Sequence, residues 1–121
     1  DIRMFYRKTM QEFYDSIGDY DIIINGIEVD GSVKHIITKE DLKRIKKGCL
    51  LIDSAADAGN AIEGSHYTSI AEPMYEEDGL FFYEVNNAPS LLYRVTSFEI
   101  SKSFSQWVYK KDVKQFYDLF K

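Results

Sequence analysis

The apolar residues change spacing along the chain, and each spacing predicts an element. Ile22, Ile23 and Ile24 are consecutive and β-branched, with no polar residue between them. Such a run predicts a strand buried on both faces, the pattern of a parallel sheet. Cys49 to Asp53 repeats it. Leu42 and Ile45 lie three apart between these runs, on a helix expected over about Lys39–Lys46 and ended by Gly48. A first helix is expected over about Met10–Ile17, with Gly18 as its stop. Three Thr-x-x-acid boxes, Thr9–Glu12, Thr38–Asp41 and Thr96–Glu99, mark expected helix starts. In such a box the hydroxyl accepts from a first-turn amide and the acid answers the cap. Pro73–Tyr75 and Leu80–Val85, joined through Glu-Glu-Asp-Gly, predict a hairpin or a strand with a turn. From about Thr96 the apolar spacing is helical: Ile100, Phe104, Trp107 and Val108 form one stripe, and Val113, Phe116, Tyr117 and Phe120 a second. Both stripes read as core or interface.

Helix, strand, helix, strand in this order suits parallel crossovers in an α/β sheet. One signature is missing from it. No Gly-x-Gly-x-x-Gly follows a strand, because Gly26, Gly31 and Gly48 lack that spacing. The chain therefore reads as the second half of a Rossmann-type doubly wound parallel sheet, with the glycine-rich first half absent and a helical C-terminus over about 96–120. Its 121 residues suit a single, partial nucleotide-binding domain. The start at Asp1 rather than Met reads as a fragment or a processed product.

Composition removes several classes. At 45% apolar or aromatic, the chain can bury a core. A net charge of −5 argues against a nucleic-acid partner. The one basic cluster, Lys39, Lys43, Arg44, Lys46 and Lys47, reads as a solvated helix face. No apolar run suits a membrane span, and no signal peptide is visible. The lone Cys49 fits a reducing cytoplasm and a packing role.

Ligands of open α/β sheets bind outside the carboxyl ends of the strands. Three segments leave such ends: Asn25–Gly31, Ser54–Asn60 and Asn86–Ser90. Each mixes small residues with polar ones, which lets a backbone approach a ligand closely. Asp53 is expected to end its strand and cap backbone amides. Asp57, four residues on, stands among small neighbours. It is open to two readings, a turn residue bonding its own backbone or a functional carboxylate.

The order Asp53, Ala55, Asp57, Gly59, Glu63, then Ser65, His66, Thr68, then Pro73, Tyr75, then Val85, Asn87, Pro89 resembles the nucleotide-domain tail of the alanine dehydrogenase and nicotinamide nucleotide transhydrogenase family. Upstream, Tyr20–Gly31 and Ile36–Gly48 are similar to the family's strand, its loop and the following helix. The likeness runs from about Tyr20 to Trp107. Ala88–Tyr93 leans toward the N5-(carboxyethyl)ornithine synthase branch. Ala58, Asn60 and Tyr67 depart from residues common in the family and leave the substrate open.

The resemblance implies an NAD(P)H-dependent oxidoreductase, with NAD or NADP as cofactor. It would reduce an imine formed from a pyruvate-like 2-oxo acid and an amine, either an ornithine or lysine side chain or ammonia. Asp57 would be catalytic. Gly26, Ile27 and Glu28 would line the cofactor cleft, with Ser54, Val85, Asn87 and Ala88 on its nicotinamide side. His66 aligns with a cofactor-facing position, or is an ordinary loop histidine. No metal is implied. Arg3, Arg7 and Lys8 are either surface cations or neighbours of a 2′-phosphate. The family's substrate-binding Arg and Lys and its catalytic His belong to a first domain not seen here. The chain alone is therefore expected to hold no dinucleotide tightly, and to find its partner, that first domain or a second copy, through its C-terminal helices. The competing reading is a non-catalytic truncated homologue serving as an interaction or regulatory module.

Overall fold

A computed structural model describes residues 1–29, 34–56, 61–85 and 92–109. They fall in two compact units, Asp1–Asn86 and Asn87–Lys121.

The first unit contains α1 (Met10–Asp15), a 3₁₀ turn (Ile17–Asp19), β1 (Ile22–Asn25), α2 (Lys39–Arg44), β2 (Leu50–Asp53), β3 (Met74–Glu77) and β4 (Leu80–Tyr83). The strands form one sheet in the order β1-β2-β4-β3. β1 and β4 both run parallel to β2, while β3 is an antiparallel edge on β4. This is the expected α/β class. Register places Ile23, Leu51, Phe82 and Tyr75 in one row. Ile23, Leu51 and Phe82 pack with Phe13 and Ile17 from the α1 side and Ile45 after α2. Cys49 is fully buried in this core as a free thiol, and burial raises its pKa.

The expectation that β1 is buried on both faces is corrected. Ile22 and Ile24 are 55% and 67% exposed, and only Ile23 and Asn25 are buried. Side chains alternate across a strand. α1 and α2 both pack on the Ile23 face, so β-branching set the strand while one row alone entered their core.

The three threonine boxes divide. Thr38 makes a full capping box: its Oγ1 accepts from Asp41 N–H at 3.2 Å, and Asp41 Oδ2 accepts from Thr38 N–H at 3.0 Å. Thr9 caps nothing with its side chain, because its hydroxyl is turned back onto Tyr6, accepting from its N–H and donating to its carbonyl. Thr96 lies inside a helix that begins three residues earlier. Gly18 is not a helix stop either. α1 ends at Asp15, and Gly18 sits in the 3₁₀ turn against Arg44, whose carbonyl oxygen a Cβ at residue 18 would meet at 2.9 Å. α2 ends at Arg44, two residues sooner than expected, since Ile45 leaves the helix to enter the core in extended conformation. The hairpin is present. Asp78 and Gly79 turn it with φ of 51° and 73°, the left-handed pair that an Asp-Gly turn supplies.

The second unit is described over α3 (Tyr93–Phe104) and a π-helical turn (Ser105–Tyr109). No side chain caps the start of α3. Phe98, Ile100, Phe104, Trp107 and Val108 are all exposed. The expected second stripe, from Val113 to Phe120, lies outside the described residues. No helix among the described residues is long and apolar enough to cross a membrane.

Two substitutions check these local accounts. Thr38→Ala removes a side-chain cap and should cost about 1 kcal/mol of unfolding free energy. Gly18→Ala drives a methyl into a carbonyl and should cost roughly 1–3 kcal/mol. Urea denaturation of each variant measures both.

Candidate functional site

The carboxyl ends of β1 and β2 lie side by side, and their last residues, Asn25 and Asp53, are paired in register and buried. A buried carboxylate needs donors. Asp53 Oδ1 accepts from Asn25 Nδ2 at 2.8 Å and from Ala55 N–H at 3.0 Å, the capping role expected of it. Asn25 turns its other atoms to its own loop. Its Oδ1 accepts from Ile27 N–H at 3.0 Å, and its Nδ2 also donates to Ile27 O at 3.2 Å. The two loops are then joined through Ser54, whose N–H and hydroxyl both donate to Asn25 O, at 2.9 and 2.6 Å.

Gly26, Ile27, Glu28 and Ser54 are thus brought together. Gly26 is exposed, and a Cβ there would meet only Ser54 Oγ, at 3.7 Å. Beside the loop is a cleft of about 460 Å³, lined in part by Arg7, Tyr14, Ile27, Glu28, Lys34 and His35. Of the three N-terminal cations named from sequence, Arg7 reaches this cleft. Val85 follows β4, is buried, and forms a parallel bridge with Thr68. His66 stands elsewhere. It stacks on Tyr75 with ring centroids 3.9 Å apart, over β3, at the opposite edge of the sheet from Gly26. Tyr75 stacks in turn on Phe82, and burial pushes its phenol up to about 12. Asp57, Asn87 and Ala88 lie outside the described residues. Among the described residues no group of three or more His, Cys, Asp or Glu side chains could hold a metal ion.

Sequence reading missed Asn25 and Glu84. Asn25 looks like the start of a loop, and only pairing with Asp53 reveals its task. Glu84 follows an apolar strand, and its 3% exposure is the surprise. Burial pushes its carboxyl up to about 7, against the pull of the Ser65 hydroxyl and with added push from Asp53. The one sequence signal was an acid between Tyr83 and Val85, where a strand end should be covered.

Residues 2–120 match the family described as Alanine dehydrogenase/PNT, C-terminal domain. The chain belongs to that family. It is 52% identical over 119 residues to an N(5)-(carboxyethyl)ornithine synthase of Clostridium botulinum, covering 98% of this chain and 38% of that protein. It is 33% identical over 97 residues to alanine dehydrogenase 1 of Staphylococcus aureus strain NCTC 8325 / PS 47, covering 79% of this chain and 26% of that protein. The chain thus spans between about a quarter and little more than a third of the length of these relatives. An L-alanine dehydrogenase structure shares the fold at a TM-score of 0.67 and 24% identity, over 82% of this chain and 28% of that one. Within the family's α/β fold, the Gly26 and Ser54 loops occupy the strand ends where such sheets bind ligands.

Glu84 makes a pH prediction. An acid whose folded pKa is about 7, against 4.5 for the free group, binds its proton more tightly when folded. Its stabilising contribution is full below about 4.5 and is lost as pH rises through about 7. Glu84→Gln keeps the neutral shape. Relative to wild type it should gain up to about 3 kcal/mol across that window, measured by denaturation at several pH values.

Proposed function

We infer that this chain supplies the nicotinamide-side half of the dinucleotide site in an NAD(P)H-dependent oxidoreductase. The reaction is reduction of an imine formed from a 2-oxo acid and an amine. The observation that carries this is the 52% identity to an N(5)-(carboxyethyl)ornithine synthase along 98% of the chain, against 33% to an alanine dehydrogenase. That contrast favours an ornithine or lysine side chain as the amine, over ammonia.

The residues present fit such a cofactor. Gly26 offers backbone without a side chain, Ser54 is exposed beside it, and both are fixed through Asn25. Gly26, Ile27, Glu28 and Ser54 would hold the dinucleotide, with Val85, Asn87 and Ala88 on the nicotinamide side. When bound, the dinucleotide supplies the hydride. The protein's part is position and charge. Asp57 follows the same strand as Ser54, and its carboxylate would stabilise the positive charge of the protonated imine. Its sequence neighbours Ala55, Ala56, Ala58 and Gly59 are all small, as a site for a flat ring would need. His66, held on Tyr75, takes the loop-histidine reading among the described contacts.

The partner surface lies on the exposed apolar residues of α3 and its continuation, among them Phe98, Ile100 and Trp107. Contiguous exposed apolar surface marks interfaces. The occupant is the family's first domain or a second copy.

The deciding experiment mixes a full-length protein containing this chain with pyruvate, NADH or NADPH, and ornithine, lysine or ammonia. Oxidation of the dinucleotide with ornithine or lysine, and little with ammonia, is expected. No oxidation with any amine would sink the reading. In the same protein Asp57→Asn should lower kcat about a hundredfold with KM nearly unchanged, the pattern of a charge that acts in the transition state. Unchanged turnover would return Asp57 to a turn residue.

A further inference from the structure

Asn25, Asp53 and Glu84 are the buried polar residues among those described, at 7%, 3% and 3% exposure. Asn25 pairs with Asp53 in register. Carrying the β2–β4 register one residue beyond Ile52 and Tyr83 sets Asp53 beside Glu84. Residues in register on neighbouring strands project to one face, with the strands about 4.8 Å apart. The three side chains therefore form a polar row under the carboxyl ends of three strands, on the covered face.

Two neighbouring carboxyls out of water cannot both carry charge without a large cost. Their partners decide which one does. Asp53 accepts from Asn25 Nδ2 and Ala55 N–H, and donors of that kind favour the anion. Glu84 Oε1 has no hydrogen-bond partner among the described residues. The backbone holds Glu84 in place: its N–H donates to Thr68 Oγ1 and its carbonyl accepts from Thr68 N–H, both at 3.2 Å.

The geometry points to Glu84 as a proton-holding positioning residue: as the neutral acid it lets Asp53 stay charged and grip the Gly26–Ile27 and Ser54–Ala55 turns. Loss of its proton sets two buried anions side by side. Repulsion then displaces the Asp53 carboxylate, which weakens its bonds to Asn25 Nδ2 and Ala55 N–H. Both turns loosen together, since Asn25 ties Ile27 to Asp53. The other groups on Glu84 do not supply this switch. Tyr75, from β3, titrates far above it at about 12. Ser65 brings a hydroxyl, and the adjacent His66 is stacked on Tyr75. Burial lifts the Glu84 carboxyl to about 7, into the range where such a switch operates. The functional meaning rests on reading the two turns as the dinucleotide side of the site; the proton linkage itself does not.

The test is NMR on the whole chain without dinucleotide. Carboxyl ¹³C shifts follow Glu84, and ¹⁵N shifts of Ile27 and Ala55 follow the turns. Glu84 should titrate within about one unit of neutrality, and both amides should move with the same midpoint. In Glu84→Gln that movement should vanish, leaving both amides at their low-pH positions. A Glu84 midpoint in the ordinary carboxylate range overturns the inference. So does amide movement that persists in the glutamine variant, which would detach it from Glu84. If that variant does not fold, the coincidence or separation of the wild-type midpoints decides. None of these readouts involves cofactor, so the oxidoreductase reading can fail without touching them.

Discussion

A carboxylate leaves water only where donors await it, and Asp53 meets that constraint at the junction of two parallel strands. Of its donors, one comes from across the sheet and one from its own turn. Satisfying one buried charge therefore fixes two loops at once. Asn25 suits the crossing position because its amide carries donor and acceptor on one short stem. It gives a hydrogen to Asp53 and takes one from Ile27. An aspartate there would add a second charge, and a leucine would leave Asp53 a donor short.

The same arrangement explains the small residues. Ser54 sits close enough to Asn25 to spend both its N–H and its hydroxyl on one carbonyl. Gly26 next to it presents bare backbone. Loop positions are usually mobile, but Ile27, Ser54 and Ala55 are tied from beneath while Gly26 and Ser54 stay exposed. Rigid support under an exposed, small-residue surface is what a site for a flat ligand requires.

Much of this fold is legible in the sequence because the signals are local. Thr38 with Asp41, the Asp78–Gly79 turn and the apolar run into Asp53 each act within a few residues. The sequence failed where a local group had a choice of partners. Thr9 carries the same spacing to an acid as Thr38, yet its hydroxyl found Tyr6 first. Gly18 resembles a helix stop, but its need for a missing Cβ comes from Arg44, far along the chain. The triple isoleucine of β1 announces a strand and cannot announce how many faces α1 and α2 cover. Gly26, Ile27 and Ser54, named from sequence, lie close together, whereas Asn25 and Glu84 escaped notice. Their meaning lies in register between strands, and register is not written in any one segment.

Along the covered face the chemistry changes in the direction of the strands. Cys49 and Leu80 lie at the start and are fully or nearly fully buried, and Ile23, Leu51 and Phe82 follow. Asn25, Asp53 and Glu84 come last. The apolar rows hold the sheet to its helices through area removed from water. The polar row contributes less to stability, since a buried charge and its donors return at best a modest surplus over desolvation. An apolar row there would pack as well and would leave the loops above it untethered. Polar residues at that end thus exchange stability for geometry, the trade found where a scaffold must hold a site. Because parallel strands present their carboxyl ends on the same side, one such row can tie the Gly26–Ile27 and Ser54–Ala55 turns together. An antiparallel sheet would scatter the same residues between its two ends, so the parallel order β1-β2-β4 is itself part of the site.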